Sequence, residues 1–175
     1  MNIQETLKPV ARNVKKEWLS MDMEKVGASK HDFGIALKSR FQTLNDQTSS
    51  ISALLTPGIQ GDKHVNIVVD ITLPKGPSLE PVLNSLSAFM QQATAVLSPM
   101  TVMVDMRTSQ IVLRQSHVMP LNHPPATIAF VNAAQILVPL MQQTIDSLVK
   151  MNPAPNDARE MADLLAKSFY GALQE

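Results

Sequence analysis

The apolar residues of this chain change their spacing several times, and each spacing predicts a different element. Between residues 3 and 20 they recur every three or four positions, which places them on one face of a helix. Pro9 falls in that range, so the helix could instead begin near Lys8 with the proline in its first turn. Between residues 33 and 44 apolar and mostly polar side chains alternate, which predicts a strand with one buried face.

Two further strands follow in the first half of the chain. Residues 51–56 form a short apolar segment that stops at Pro57. Residues 64–73 alternate over a longer distance, with one almost wholly apolar face, and end at Pro74. Three consecutive strands joined by short polar turns predict an antiparallel arrangement.

The second half begins with the strongest helical period in the sequence, at residues 79–97. A hairpin is predicted next, with arms at 101–106 and 110–118 joined by a polar turn. A long helix over 126–150 follows, and Pro139 is expected to kink it.

Two prolines, Pro153 and Pro155, separate a last predicted helix at 157–172. Its predicted apolar face consists of Met161, Leu164, Leu165, Ser168 and Phe169. The expected fold is therefore α+β: an antiparallel sheet of about five strands packed against helices, in the order helix, three strands, helix, two strands, helix. Residues 1–152 are expected to form this domain, with residues 153–175 as an appended C-terminal helix.

Composition narrows the function mainly by exclusion. The 175 residues are 45% hydrophobic, which suits a single folded domain and not a disordered chain. The 15 basic and 15 acidic residues balance, which argues against a general nucleic-acid binder and favours self-association. No cysteine is present, so disulfides and thiolate zinc sites are excluded. Because no apolar stretch approaches about 20 residues and no secretory signal begins the chain, we expect neither membrane insertion nor export.

Residues that could carry catalytic chemistry are sparse. His117 and His123 are the only histidines near each other, and no carboxylate lies at ligand spacing, so surface or turn histidines are favoured over a metal site. Asp70 and Asp105 fall on predicted strands, where solvated carboxylates are favoured over an acid–base pair. No phosphate-binding or nucleophile motif appears. The prediction is a protein that is not an enzyme and has no cofactor.

The order of the predicted elements and the local sequence motifs of the second half resemble those of one known family. The strand at 65–73 ends in a proline and leads into a helix of the form Leu-x-x-Val-Leu-x-x-Leu. The hairpin at 103–115 carries Asp105, Thr108 and the run Val-Leu-Arg ending at Arg114. This pattern, over about residues 33–150, resembles the class I type III secretion chaperones of Gram-negative bacteria.

The resemblance implies a cytoplasmic bacterial homodimer that binds the N-terminal segment of a secreted effector and keeps it soluble for export. It implies an effector groove on the first helix and first strands, lined by Val14, Phe33, Ile35, Leu37 and Phe41. It implies a dimer seam on the middle helix, formed by Val82, Leu86, Phe89, Met90 and Ala93. Both sets are also compatible with ordinary core packing inside one domain.

A second function of another kind stays open. The same α+β shape would serve an adaptor or regulatory subunit within a larger assembly, whose partner would be folded. A chaperone would instead bind an unfolded segment of its client.

Overall fold

The computed structural model describes residues 3–58, 63–105, 107–122 and 127–174. The predictions made for Met106, His123 and residue 126 therefore lie outside the described residues. The described residues form four α-helices, and a 3₁₀ turn at Glu80–Val82 precedes the second: α1 Ile3–Ser20, α2 Leu83–Val96, α3 Thr127–Met151 and α4 Pro155–Ala172. Six strands accompany them: β1 Glu24–His31, β2 Gly34–Gln42, β3 Thr48–Pro57, β4 His64–Thr72, β5 Thr101–Asp105 and β6 Gln110–Pro120.

The strands form one fully antiparallel sheet in the order β1-β2-β3-β4-β6-β5. The α+β class and the antiparallel sheet are confirmed. The predicted number of about five strands was too low, because the segment between α1 and β2 forms a sixth. β3 also begins at Thr48, earlier than the predicted start of the second strand at residue 51.

The unpredicted strand, β1, lacks the apolar alternation that identifies the others. Only Val26 of its eight residues is buried, because β1 is an edge strand with little core to cover. It pairs with β2 through a tight hairpin that ends at Gly34. A Cβ on Gly34 would lie 2.2 Å from the carbonyl oxygen of Leu55, so only glycine permits β2 and β3 to approach this closely.

Burial in the central strands follows a strict alternation. In β4 the residues Val65, Ile67, Val69 and Ile71 are fully buried, and the residues between them are partly exposed. The same alternation holds in β2 and β3. The helices therefore cover one face of the sheet, called here the inner face, and leave the other, the outer face, open.

A proline inside α3 creates a contact between the helix layer and a turn of the sheet. Pro139 has no N–H, so the carbonyl of Gln135 lacks its usual partner four residues later. That carbonyl accepts a hydrogen bond of 3.5 Å from the N–H of Leu44, in the turn between β2 and β3.

Among the described residues α3 is also the one helix long and apolar enough to cross a membrane, a test that core helices pass as well.

The last helix, α4, packs against α2 and α3 and contributes to the same hydrophobic core. Two side-chain hydrogen bonds join it to α2: Gln92 Nε2 donates to Asp163 at 2.7 Å, and the Tyr170 hydroxyl donates to the carbonyl of Val96 at 3.1 Å. The Ser85 hydroxyl also donates to the carbonyl of Pro153, in the turn before α4.

The buried face of α4 differs from the predicted one. Leu165 and Phe169 are buried as expected, whereas Leu164 and Ser168 are exposed. The face that enters the core is completed by three alanines spaced four residues apart, Ala158, Ala162 and Ala166. Small side chains allow two helices to approach closely, which rotates α4 away from the orientation that its larger apolar residues suggested.

We expect Phe169→Ala to lower the free energy of unfolding by about 3–5 kcal/mol, because it deletes a fully buried ring. The matched control is Leu83→Ala on α2, where the side chain is also apolar and is 43% exposed. That variant should change the free energy by no more than about 0.5 kcal/mol. Urea denaturation followed by circular dichroism measures both, and equal effects would contradict the observed docking of α4.

Candidate binding surface

The outer sheet face carries polar side chains arranged in rows across neighbouring strands. Lys38, Ser52, Asp70 and Arg114 occupy one row, in register across β2, β3, β4 and β6. A second row begins with Arg40 and continues through a serine and a threonine on β3 and β4. The open face is therefore rich in hydroxyl groups and charges.

A groove of about 680 Å³ lies at the β1 side of this face. It is lined by Glu24, Lys25, Lys38, Ser39, Arg40, Ser50, Ile51, Ser52 and Thr72. The register of β1 shifts between Glu24 and Gly27, and Lys25 has a φ of 39°. This bulge bends β1 at the edge of the sheet and forms one wall of the groove.

The groove has an excess of positive charge. Lys38 and Arg40 are two residues apart on β2, so their side chains leave the same face about 7 Å apart along the strand. Lys25 adds a third cation and Glu24 a single anion. Within the described chain, none of these three cations has an ion pair shorter than 4.0 Å.

The neighbouring charges on the outer face, by contrast, neutralise each other. Arg114 donates from Nε and Nη2 to the two carboxylate oxygens of Asp70, both at 2.7 Å. This bidentate pair raises the pKa of Arg114 further above its ordinary value. Asp70 is thus engaged by a guanidinium on the adjacent strand and is not placed beside Asp105.

A stretch of free strand edge lies at the other side of the sheet. β6 pairs with β4 over nearly its full length but with β5 only from Gln110 to Arg114. The rest of β6, residues 115–120, has no neighbouring strand on that side among the described residues. Val118, in this stretch, is 66% exposed.

The residues predicted to line an effector groove lie mostly inside the domain. Val14, Ile35, Leu37 and Phe41 are buried in the core between α1 and the inner face. Phe33 alone is exposed, at 58%, and its ring stacks on His31 with centroids 5.5 Å apart. Binding of an effector by this set stays a prediction, and in this structure only Phe33 offers surface for it.

The residues predicted to form a dimer seam are likewise engaged within one chain. Val82, Leu86, Phe89 and Ala93 are buried, and Met90 is partly buried. The sequence could not reveal this, because the position of α4 over α2 follows from alanines that a search for large apolar side chains overlooks. The alternative of ordinary core packing accounts for this burial without a second subunit.

One carboxyl group is held in an unusual environment at the start of α3. The hydroxyl of Thr127 donates to Oε2 of Glu17, which joins α1 to α3. Burial raises the pKa of Glu17 above 4.5, although the hydrogen bonds from Thr127 act in the opposite direction. The group is part of a helix–helix contact and lies away from the outer face.

Groups of three or more potential metal ligands are absent from the residues that the structure describes. His117 lies on β6 and His123 falls outside the described residues, so the prediction that this pair forms no metal site is not tested. No family model matches this sequence, and no curated protein or solved structure matches the chain.

We expect Leu86→Glu to unfold the chain, because it would bury an unpaired carboxylate in a position only 2% exposed, at a cost of several kcal/mol. Leu83→Glu on the same helix is the control, since Leu83 is 43% exposed and should tolerate a charge. Circular dichroism and sedimentation distinguish the outcomes. A Leu86→Glu protein that stays folded but no longer dimerises would instead support the predicted dimer seam on α2.

We expect Glu17→Gln to make the protein relatively more stable as the pH rises above about 4.5. The raised pKa means that the folded state keeps its proton to higher pH than the unfolded chain, so the wild type loses stability through that window. Glutamine has no titrating proton and still accepts a hydrogen bond from Thr127. Free energies of unfolding at several pH values measure the difference, and parallel curves for the two proteins would contradict the expectation.

Proposed function

We propose that this chain is a non-enzymatic protein-binding module that holds an extended segment of a client protein in the outer-face groove. In the form suggested by the family resemblance, it is a cytoplasmic bacterial chaperone that keeps the N-terminal region of a secreted effector soluble. The observation that carries the proposal is the groove itself: an open, hydroxyl-lined channel with three cations that have no ion pair among the described residues.

The chemistry of the groove favours a client segment with acidic residues. Lys25, Lys38 and Arg40 can each contact a carboxylate, while Ser50 and Ser52 can bond to main-chain groups of an extended peptide. Charge complementarity of this kind steers encounter and selects partners more than it adds affinity. Binding should therefore weaken as salt rises.

In this proposal β2, the strand predicted to line the effector groove, still contacts the client, but through its outer face and not through the predicted apolar residues. Ile35, Leu37 and Phe41 anchor β2 in the core. Lys38 and Arg40, which alternate with them, are thereby held in fixed positions on the outer face. The buried residues would support the client site and the charged residues between them would contact the client.

The alternative proposal is an adaptor subunit of a larger assembly. It is favoured by one observation, the free edge of β6 beside the exposed Val118. A folded partner could add a strand at this edge through main-chain hydrogen bonds. The two proposals place the partner at opposite sides of the sheet.

The test is site-specific photo-crosslinking in the native host with p-benzoylphenylalanine in place of Ser50, Val118 or Ser87. Ser50 lies in the groove, Val118 on the free edge, and Ser87 on the exposed side of α2 as the control. The chaperone proposal expects crosslinks from position 50 to the N-terminal segment of one protein, which aggregates when this chain is deleted. Crosslinks from position 118 to a folded partner would support the adaptor, and equal labelling at 50 and 87 would contradict the groove.

A charge-reversal variant sharpens the result. Lys38→Glu with Arg40→Glu should reduce the crosslink at position 50 by roughly tenfold, because two attractive contacts become repulsive. Lys15→Glu with Lys16→Glu is the matched control, since it makes the same charge change on the exposed side of α1. Equal loss in both variants would mean that net charge, and not the groove, governs binding.

A further inference from the structure

The exposed side of α4 carries an apolar residue between two opposite charges. Glu160, Leu164 and Lys167 are spaced by four and three residues, so they lie on one helix face, turned away from the core. Leu164 is 61% exposed although its helix is docked. Neither Glu160 nor Lys167 forms an ion pair within the described chain.

A groove of about 300 Å³ adjoins this face, between α3 and α4. It is lined by Leu140, Gln143, Thr144, Ser147, Met161, Leu164, Leu165 and Ser168. Half of these side chains are apolar and none is charged. An apolar side chain of another helix could enter the groove without leaving a buried charge unpaired.

The charges show which occupant this surface fits. Glu160 and Lys167 are seven residues apart, about 10 Å along the helix axis, and Leu164 lies near their midpoint. If a second α4 approaches antiparallel about a two-fold axis near Leu164, each Glu160 meets the partner subunit's Lys167. Such a surface is self-complementary, as an isologous interface requires. The balance of 15 basic and 15 acidic residues adds no net repulsion between copies.

We propose that a second copy of this chain docks on α4, with Leu164 seated in the partner subunit's groove between α3 and α4 and with two reciprocal Glu160–Lys167 ion pairs. The dimer uses the helix layer, which covers the inner face of the sheet. The client groove lies on the outer face. The interface therefore stands or falls independently of the proposed function, and it uses none of the buried α2 residues.

Charge exchange tests the interface directly. Glu160→Lys places lysines against each other across the two-fold axis, and Lys167→Glu does the same with glutamates. Each single variant should weaken dimerisation roughly tenfold or more. The double variant Glu160→Lys with Lys167→Glu should restore it. An equimolar mixture of the two single variants should form a heterodimer, because both ion pairs are then recovered.

Sedimentation equilibrium of the full chain, over a concentration series up to hundreds of micromolar, measures the association. Leu164→Ser should weaken the dimer, while Leu83→Ser, an exposed leucine on α2, is the control and should not. All changed residues are exposed, and circular dichroism verifies that each variant is folded. A monomeric wild type, or single variants that fail to associate when mixed, would overturn the proposal.

Discussion

The domain depends on burying one face of an antiparallel sheet under a layer of helices. Every inward residue of β4 from Val65 to Ile71 is fully buried, and each such side chain contributes roughly 1.5–3 kcal/mol when removed from water. This burial requires cover from the helix layer: α1 packs on β1, β2 and β3 and α2 packs on β5, while α4 packs against α2 and α3. The buried residues of α3 belong to the same core. Among the described residues no helix packs on the outer face, which is therefore open to solvent.

The same alternation that builds the core also places the candidate site. Along β2 the side chains of Leu37 and Phe41 point inward, and those of Lys38 and Arg40 point outward. A slip of one residue in strand register would exchange the two sets and bury both cations. Burial of the core residues therefore also determines which side chains of β2 face the groove.

Sequence reasoning succeeded where large side chains follow a strict period and failed where burial depends on small residues or on sheet edges. The alternation in β4 and the stripe of α3 identified their elements because both are covered along their whole length. β1 was missed because an edge strand needs only Val26 in the core. The face of α4 was misjudged because Leu164 is apolar yet exposed, whereas the alanines that define the contact carry little hydrophobic signal.

The dimer seam predicted on α2 shows the same limit at the level of assembly. An amphipathic stripe predicts that one face of a helix is buried, but it does not indicate whether the residues that bury it belong to the same chain or to a second subunit. Here α4 supplies it, through contacts more than 60 residues away along the chain. The apolar periodicity of α2 could not distinguish burial by α4 from burial by a second subunit, because it contains no information about which segment packs against α2.

Pro139 has a consequence that extends beyond the shape of α3. Because Pro139 has no N–H, the Gln135 carbonyl has no hydrogen-bond donor within the helix. The N–H of Leu44, in the turn between β2 and β3, donates to this carbonyl instead. Any other residue at position 139 would bring its own N–H into competition for that oxygen. The proline thus determines the position along α3 at which the main chain of the β2–β3 connection forms a hydrogen bond with the helix.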